Sequence, residues 1–197
     1  HQKYDLMNDI MSLGIHRVWK EKFINWMNPQ PNTQLVDVAS GTGDIAKLFH
    51  FKTNKSSNIT CIEPNNEMFR KGKDKLKKFE NITWINTGAE KIPIEDNTFD
   101  YYSISFGLRN VSNINQALKE AFRILKPGGR FMCLEFSKVE NEILDYLYKQ
   151  YSKAIPYVGK LVVGSDKPYK YLVESIKKFH NQQELAKFIS NNGFSNV

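Results

Sequence analysis

Leu35-Val-Asp-Val-Ala-Ser-Gly-Thr-Gly-Asp44 reads as a buried strand running straight into a glycine turn that opens a helix. Asp37 sets an acid inside an otherwise apolar strand. Gly41 and Gly43 let the backbone pass close to a ligand, an approach that a Cβ would block. Such a turn sits at the carboxyl edge of a parallel sheet, where open α/β proteins bind nucleotides. The stretch therefore predicts an enzyme that uses an adenosine-containing cofactor. The plain alternative is a structural turn with no ligand.

Two cofactor classes fit this element. Gly41-x-Gly43-x-x-Ala46 satisfies the dinucleotide pattern, and Glu63 lies 20 residues after Gly43, where a ribose-binding acid belongs. NAD and S-adenosylmethionine both present a ribose diol, so Glu63 suits either.

The chain has 197 residues, enough for one well-buried domain, with 41% hydrophobic and 25% charged residues. It contains no run of 18 apolar residues, which argues against a membrane-spanning helix. The formal net charge of +7 favours anionic surroundings or reflects a solvated lysine-rich surface. Cys61 and Cys133 both fall in predicted strands, as small hydrophobes in a reducing compartment would. His1, His16, His50 and His180 are scattered, so no metal site is expected.

Strands are predicted at Leu35–Ala39, Ile59–Glu63, Ile82–Asn86, Phe99–Phe106 and Arg130–Phe136. Helices fall between them at Asp44 to about Phe51, 66–79 and Ile114–Leu125, the last stopped by Lys126-Pro-Gly-Gly129. This alternation predicts a doubly wound, mostly parallel sheet. Residues 1–28 form an arm with an amphipathic helix at Ile15–Met27, and residues 139–180 a helical cap on the same single domain. Gly193-Phe-Ser-Asn-Val197 resembles a helix stop and the start of a further strand, so one or two closing strands are expected to be missing.

A strand, a helix, Pro-Gly-Gly and a strand, as in Asp96–Gly129, resemble the Rossmann-like class I methyltransferases. No histidine follows a strand end, whereas a dinucleotide dehydrogenase needs an acid/base residue near the hydride site. Both points favour the methyl donor. The chain further resembles the UbiE-type C-methyltransferases of ubiquinone and menaquinone biosynthesis. The resemblance rests on Lys3-Tyr-Asp-Leu-Met-Asn-Asp9, Met11–Lys20, Gly41-Thr-Gly-Asp44, Ile104-Ser-Phe-Gly-Leu-Arg-Asn110, Leu125-Lys-Pro-Gly-Gly129, Leu134-Glu-Phe-Ser137 and Tyr169–Ile176. It covers nearly the whole chain and is nearest the mitochondrial and proteobacterial ubiquinone branch.

What this resemblance implies is methylation of a ring carbon on a polyprenyl-methoxy-benzoquinol, with S-adenosylmethionine as donor and no metal. Demethylmenaquinol is the alternative substrate. Family cofactor positions fall on Thr42, Glu63, Gly88, Ala89 and Ser105, alongside Gly41 and Gly43 of the turn. The family usually carries Asn where this chain has Gly88, so a side-chain contact is lost there. Asp37 shapes the methionine end of the pocket or braces the glycine turn. Met68 packs on the adenine face or in a helix core.

The ring carbon attacks well only as the adjacent hydroxyl loses its proton. Arg109 and Asn110, just past strand four, are the catalytic candidates. The guanidinium would stabilise the developing phenolate, and Asn110 would orient a water or the ring hydroxyl. A structural ion pair is the other reading of Arg109. Tyr4, Arg17 and Trp19 close over the quinol from the N-terminal arm or simply pack on the domain, and the aromatic and aliphatic residues of 139–176 line an isoprenoid channel or pack as an ordinary cap.

The expected partners are the polyprenyl benzoquinol, an anionic membrane face met by the basic residues 70–78, a multiprotein quinone-biosynthesis complex and a second copy in a homodimer. The expected location is the matrix side of the mitochondrial inner membrane, or a bacterial cytoplasm. Nucleic acid is not expected as a partner. Base-amine methyltransferases commonly carry Asn/Asp-Pro-Pro-aromatic after strand four, and this chain has Ser105-Phe-Gly-Leu-Arg-Asn110.

Overall fold

Continuous burial, rather than alternation, marks the central strands. Leu35 to Val38 are all buried, as are Tyr101 to Ile104. Strands covered by helices on both faces have no solvent side to which polar residues can alternate. The computed structural model describes residues 15–137 and 167–197 and divides into two compact units. Of the described residues, one unit takes in 20–135 and 188–197, and the other 15–19, 136–137 and 167–187.

Within the described residues the elements run α1 (Ile15–Met27), β1 (Gln34–Val38), α2 (Asp44–Lys52), β2 (Asn58–Ile62), α3 (Asn66–Leu76), β3 (Ile82–Ile85) and β4 (Phe99–Ser105). A 3-10 turn (Leu108–Asn110) follows, then α4 (Ile114–Ile124), β5 (Leu125–Leu134), α5 (Lys167–Lys178) and α6 (Gln182–Asn191). The five strands form one sheet in the order β3-β2-β1-β4-β5, and every pair is parallel. The doubly wound prediction therefore holds. The order reverses between β1 and β4, so the crevice for a ligand opens at the carboxyl ends of these two strands.

Local chemistry sets the element ends. Asn65 caps α3 by accepting from the backbone N–H groups of Glu67 and Met68, and Asn113 caps α4 by accepting from Gln116. Gly43, in the left-handed region at φ 79°, is the residue before α2. A Cβ at Gly43 would also lie 2.5 Å from Leu76 Cδ1, so backbone angle and packing both require glycine there. The core beneath β1 and β2 gathers Phe23, Ile24 and Met27 of α1 with Leu35, Phe49, Ile59 and Tyr101.

Three boundaries differ from expectation. Helix α3 ends at Leu76 rather than near 79. Strand β5 begins at Leu125 and includes Lys126-Pro-Gly-Gly129 as an irregularity, because Phe99 pairs with Leu125 while Tyr101 pairs with Arg130. The extra residues bulge out of the ladder, a role open to Pro and Gly. Residues 194–197 form no strand; Phe194 packs against Phe122 and Phe131 instead.

In the second unit, α5 buries Leu172 and Ile176, and Trp19 meets Phe136 edge-on at 6.0 Å. Tyr4 and the channel residues expected between 139 and 163 lie outside the described residues.

Candidate active site

The carboxyl ends of β1, β2 and β4 bring the expected cofactor residues to one edge. Asp37, in β1, is 1% exposed. It pairs in register with Ser103 of β4, whose hydroxyl donates to Asp37 Oδ1 at 2.7 Å. The second carboxylate oxygen, Oδ2, is buried with no hydrogen-bond partner. Burial pushes the Asp37 carboxyl up to about 7, against the lowering effects of the Ser103 hydrogen bond and of Lys20. A buried acceptor without a donor is open to completion by a ligand group or an ordered water.

Glu63 follows β2 and is 6% exposed. Its Oε2 accepts from the Gly41 N–H at 2.8 Å and its Oε1 from the Asn65 N–H at 2.9 Å. Burial raises its pKa, and these two N–H groups pull it back. One carboxylate thus ties the glycine turn to the start of α3. Each oxygen keeps a lone pair for a ribose hydroxyl. Gly41 has nothing within 4 Å of where a Cβ would stand, so this face of the turn is open.

Behind the turn, Asp44 bridges Lys20 at 2.8 Å and Lys75 at 2.7 Å. Burial opposes its ionisation, but the two ammonium groups hold its carboxyl well below the usual range. Lys75 also donates to the Thr42 hydroxyl at 3.2 Å. Thr42 therefore points toward α3 and shares in this network. Ala89 is buried and Met68 half-buried outside the main core cluster. A Cβ at Gly88 would meet only the end of the Glu90 side chain, at 2.8 Å. The Ser105 hydroxyl is buried without a hydrogen-bond partner, a second polar atom for a ligand to satisfy.

These features fit S-adenosylmethionine. Asp37 Oδ2 would receive the ammonium of the methionine end, Glu63 the ribose diol, and the open Gly41 turn the body of the nucleoside. Among the described residues no group of three His, Cys, Asp or Glu side chains could hold a metal ion.

Two residues at this edge carry left-handed backbone without being glycine: Ala39 at φ 52° and Phe106 at φ 56°. Such conformations persist only where surrounding structure over-determines them, and they cluster at functional sites. Here the two turns meet. Gly107 packs so closely that a Cβ on it would lie 2.5 Å from the Ala39 Cβ.

Arg109 lies in the 3-10 turn beyond β4, and its side chain is 6% exposed. Its Nη1 donates to the Phe106 carbonyl at 2.7 Å and pairs with Glu135 Oε1. Its backbone N–H donates to Glu135 Oε2 at 3.2 Å. Asn110 is exposed on the same turn, its backbone N–H bonded to the Gly107 carbonyl. Arg17 is exposed on α1 and Trp19 is half-buried against Phe136.

The sequence reading missed Glu135, Ser103, Gly107 and the Lys20–Asp44–Lys75 bridge. Glu135 had one signal: an acid inside the last two residues of the predicted strand Arg130–Phe136, close to the carboxyl end where sites form in open α/β sheets.

Comparison with known proteins agrees with this geometry. A methyltransferase from Aquifex aeolicus described as SAM-dependent superposes with TM-score 0.65 at 16% identity, covering 89% of this chain and 79% of that one. At that identity the likeness concerns the fold. Ubiquinone/menaquinone biosynthesis C-methyltransferase UbiE of Brucella anthropi is 48% identical over 201 residues, 99% of this chain and 76% of that protein. Its counterpart in Brucella suis is 46% identical over 202 residues, 100% of this chain and 75% of that protein. Both relatives are bacterial, and neither supports the mitochondrial expectation. The ubiE/COQ5 methyltransferase family matches residues 1–197 in full, and the chain belongs to that family.

Proposed function

We propose that this chain methylates a ring carbon of 2-polyprenyl-6-methoxy-1,4-benzoquinol. The coarser activity, S-adenosylmethionine-dependent C-methylation in ubiquinone/menaquinone biosynthesis, follows from the family. The methoxy-benzoquinol is the finer reading, and demethylmenaquinol is its competitor. One observation carries the site assignment: the partnerless Asp37 Oδ2 and the turn that holds the buried Arg109 side chain lie at the carboxyl ends of the adjacent strands β1 and β4.

S-adenosylmethionine supplies a methyl carbon already activated by its sulfonium, so the protein's work falls on the nucleophile. Arg109 is always charged and is a poor direct base. We assign it to electrostatic stabilisation of the phenolate formed as the hydroxyl loses its proton, which makes the ring carbon electron-rich. The new carbon–carbon bond consumes that charge, and loss of the ring proton at the methylated carbon restores the quinol. Asn110 orients the hydroxyl or the water that takes its proton. The Phe106 carbonyl and Glu135 hold the guanidinium in place, so it pays little reorganisation as charge develops.

Arg70, Lys73 and Lys78 are exposed on and after α3, with Lys73 and Lys78 over the rings of Phe69 and Phe79. We propose that they face anionic lipid when the prenylated quinol is taken up. Among the described residues no helix is long and apolar enough to cross a membrane. A homodimer and a quinone-biosynthesis assembly are further proposals, tested by light scattering and by co-purification.

The deciding experiment follows methyl transfer to short-tailed analogues of the two quinols, reduced in situ. Higher kcat/KM for the methoxy-benzoquinol supports the proposal. Preference for the demethylnaphthoquinol replaces the substrate, and failure to bind S-adenosylhomocysteine removes the reading altogether.

A further inference from the structure

Arg109 and Glu135 are 26 positions apart and meet through register. Strand β4 pairs with β5 so that Ser105 lies beside Leu134, and the next N–H, that of Phe106, donates to the Leu134 carbonyl at 2.7 Å. Glu135 is therefore fixed as the first residue past this pairing. On the β4 side, the left-handed Phe106 folds the chain back into the 3-10 turn that carries Arg109.

A single carboxylate then takes both ends of one residue. Glu135 Oε2 accepts from the Arg109 backbone N–H at 3.2 Å, and Oε1 pairs with Nη1 of the same arginine. The Phe106 carbonyl takes Nη1 as well, at 2.7 Å. Main chain and guanidinium are pinned to one rigid group, which fixes the rotamer of a side chain that otherwise has four rotatable bonds. The Glu135 side chain is 3% exposed and that of Arg109 6%, so water competes little for either.

A buried ion pair is weak evidence for stability, because desolvation offsets much of the attraction. What it provides is a defined orientation. We propose that Glu135 is a positioning residue that aims Arg109 at the quinol oxygen, an inference that rests on the role given to Arg109 above. Glu135 does not itself touch the reacting atoms. Its carboxylate also tempers the field of the guanidinium, so that Arg109 acts as a directed hydrogen-bond donor rather than as a bare cation.

The test uses the full chain with a short-tailed methoxy-benzoquinol. Glu135→Gln keeps the shape but offers one acceptor where two donors arrive. Turnover is expected to fall 10- to 100-fold, while S-adenosylhomocysteine Kd, read by calorimetry, stays within about twofold. A merely structural role would move both. Arg109→Met combined with Glu135→Gln leaves neither partner charged, which guards against misfolding from a lone buried ion. If Glu135 acts through Arg109, this double variant is no slower than Arg109→Met alone. Additive losses would overturn the inference, as would a wild-type kcat for Glu135→Gln beside an impaired Arg109→Met. Full turnover by Arg109→Met would instead remove the role of Arg109, and that of Glu135 with it.

Discussion

Ser103 donates a 2.7 Å hydrogen bond to one oxygen of Asp37 across the β1–β4 pair, and the other Asp37 oxygen is left buried without a donor. The hydroxyl engages one oxygen, so the other is the one left for a ligand. An ammonium group on a ligand would complete it.

This half-satisfied carboxyl predicts a pH dependence of binding. Its pKa stands at about 7 in the free protein, raised by burial. An ammonium ligand requires the ionised form, so S-adenosylhomocysteine affinity should weaken up to tenfold for each pH unit below about 7. Calorimetry from pH 5.5 to 8.5 checks this, and Asp37→Asn should flatten the profile.

The same group predicts the sign of a stability effect. A carboxyl whose pKa is raised on folding contributes stability below about pH 4, its unfolded value, and loses it as pH climbs through about 7. Ligand-free Asp37→Asn should therefore be more stable than the wild type at pH 8, by roughly 1–3 kcal/mol. Equal urea midpoints at pH 8 would contradict the buried, partnerless oxygen.

His50 should act in the opposite sense. It is 3% exposed on α2, its ring 4.5 Å from that of Phe79, and burial and then Lys55 lower its pKa below the usual 6.5. Stability from the neutral ring is present above about pH 6.5 and is lost as pH falls further. His50→Leu should shrink the drop in Tm between pH 7 and pH 5. An unchanged drop would place the acid-sensitive group elsewhere.

Glu63→Ala should weaken cofactor binding more than tenfold. It removes the ribose acceptor and also strands the N–H groups of Gly41 and Asn65. Stranded donors cost about 1–3 kcal/mol, so the variant should also unfold at lower urea. Wild-type affinity would remove Glu63 from the ribose.

The contact between Gly107 and Ala39 is testable by a reciprocal exchange. Gly107→Ala places two Cβ atoms 2.5 Å apart and should cost about 1–3 kcal/mol. Ala39→Gly removes the opposing methyl and suits φ 52°, so the double variant should recover most of the loss. Simple additivity in urea titrations would contradict the steric account.

Much of this protein is written in local pattern. Helix α1 falls at Ile15–Met27 as its apolar spacing predicts, and Gly41, Gly43 and Glu63 meet at one sheet edge as their spacing requires. Asn65 caps the helix predicted to begin at residue 66. These features involve neighbours in the chain or a single strand-helix-strand unit of fixed spacing, and periodicity and turn chemistry are properties of such short windows. Ser103 with Asp37, Gly107 with Ala39 and Glu135 with Arg109 are pairs of another kind. Each joins residues dozens of positions apart, and a shift of one residue in the pairing of β4 with β1 or β5 would turn its side chains to the opposite face. Register is set by the packing of the whole sheet, so only the tertiary structure decided which acid meets Arg109 and which oxygen of Asp37 stays bare.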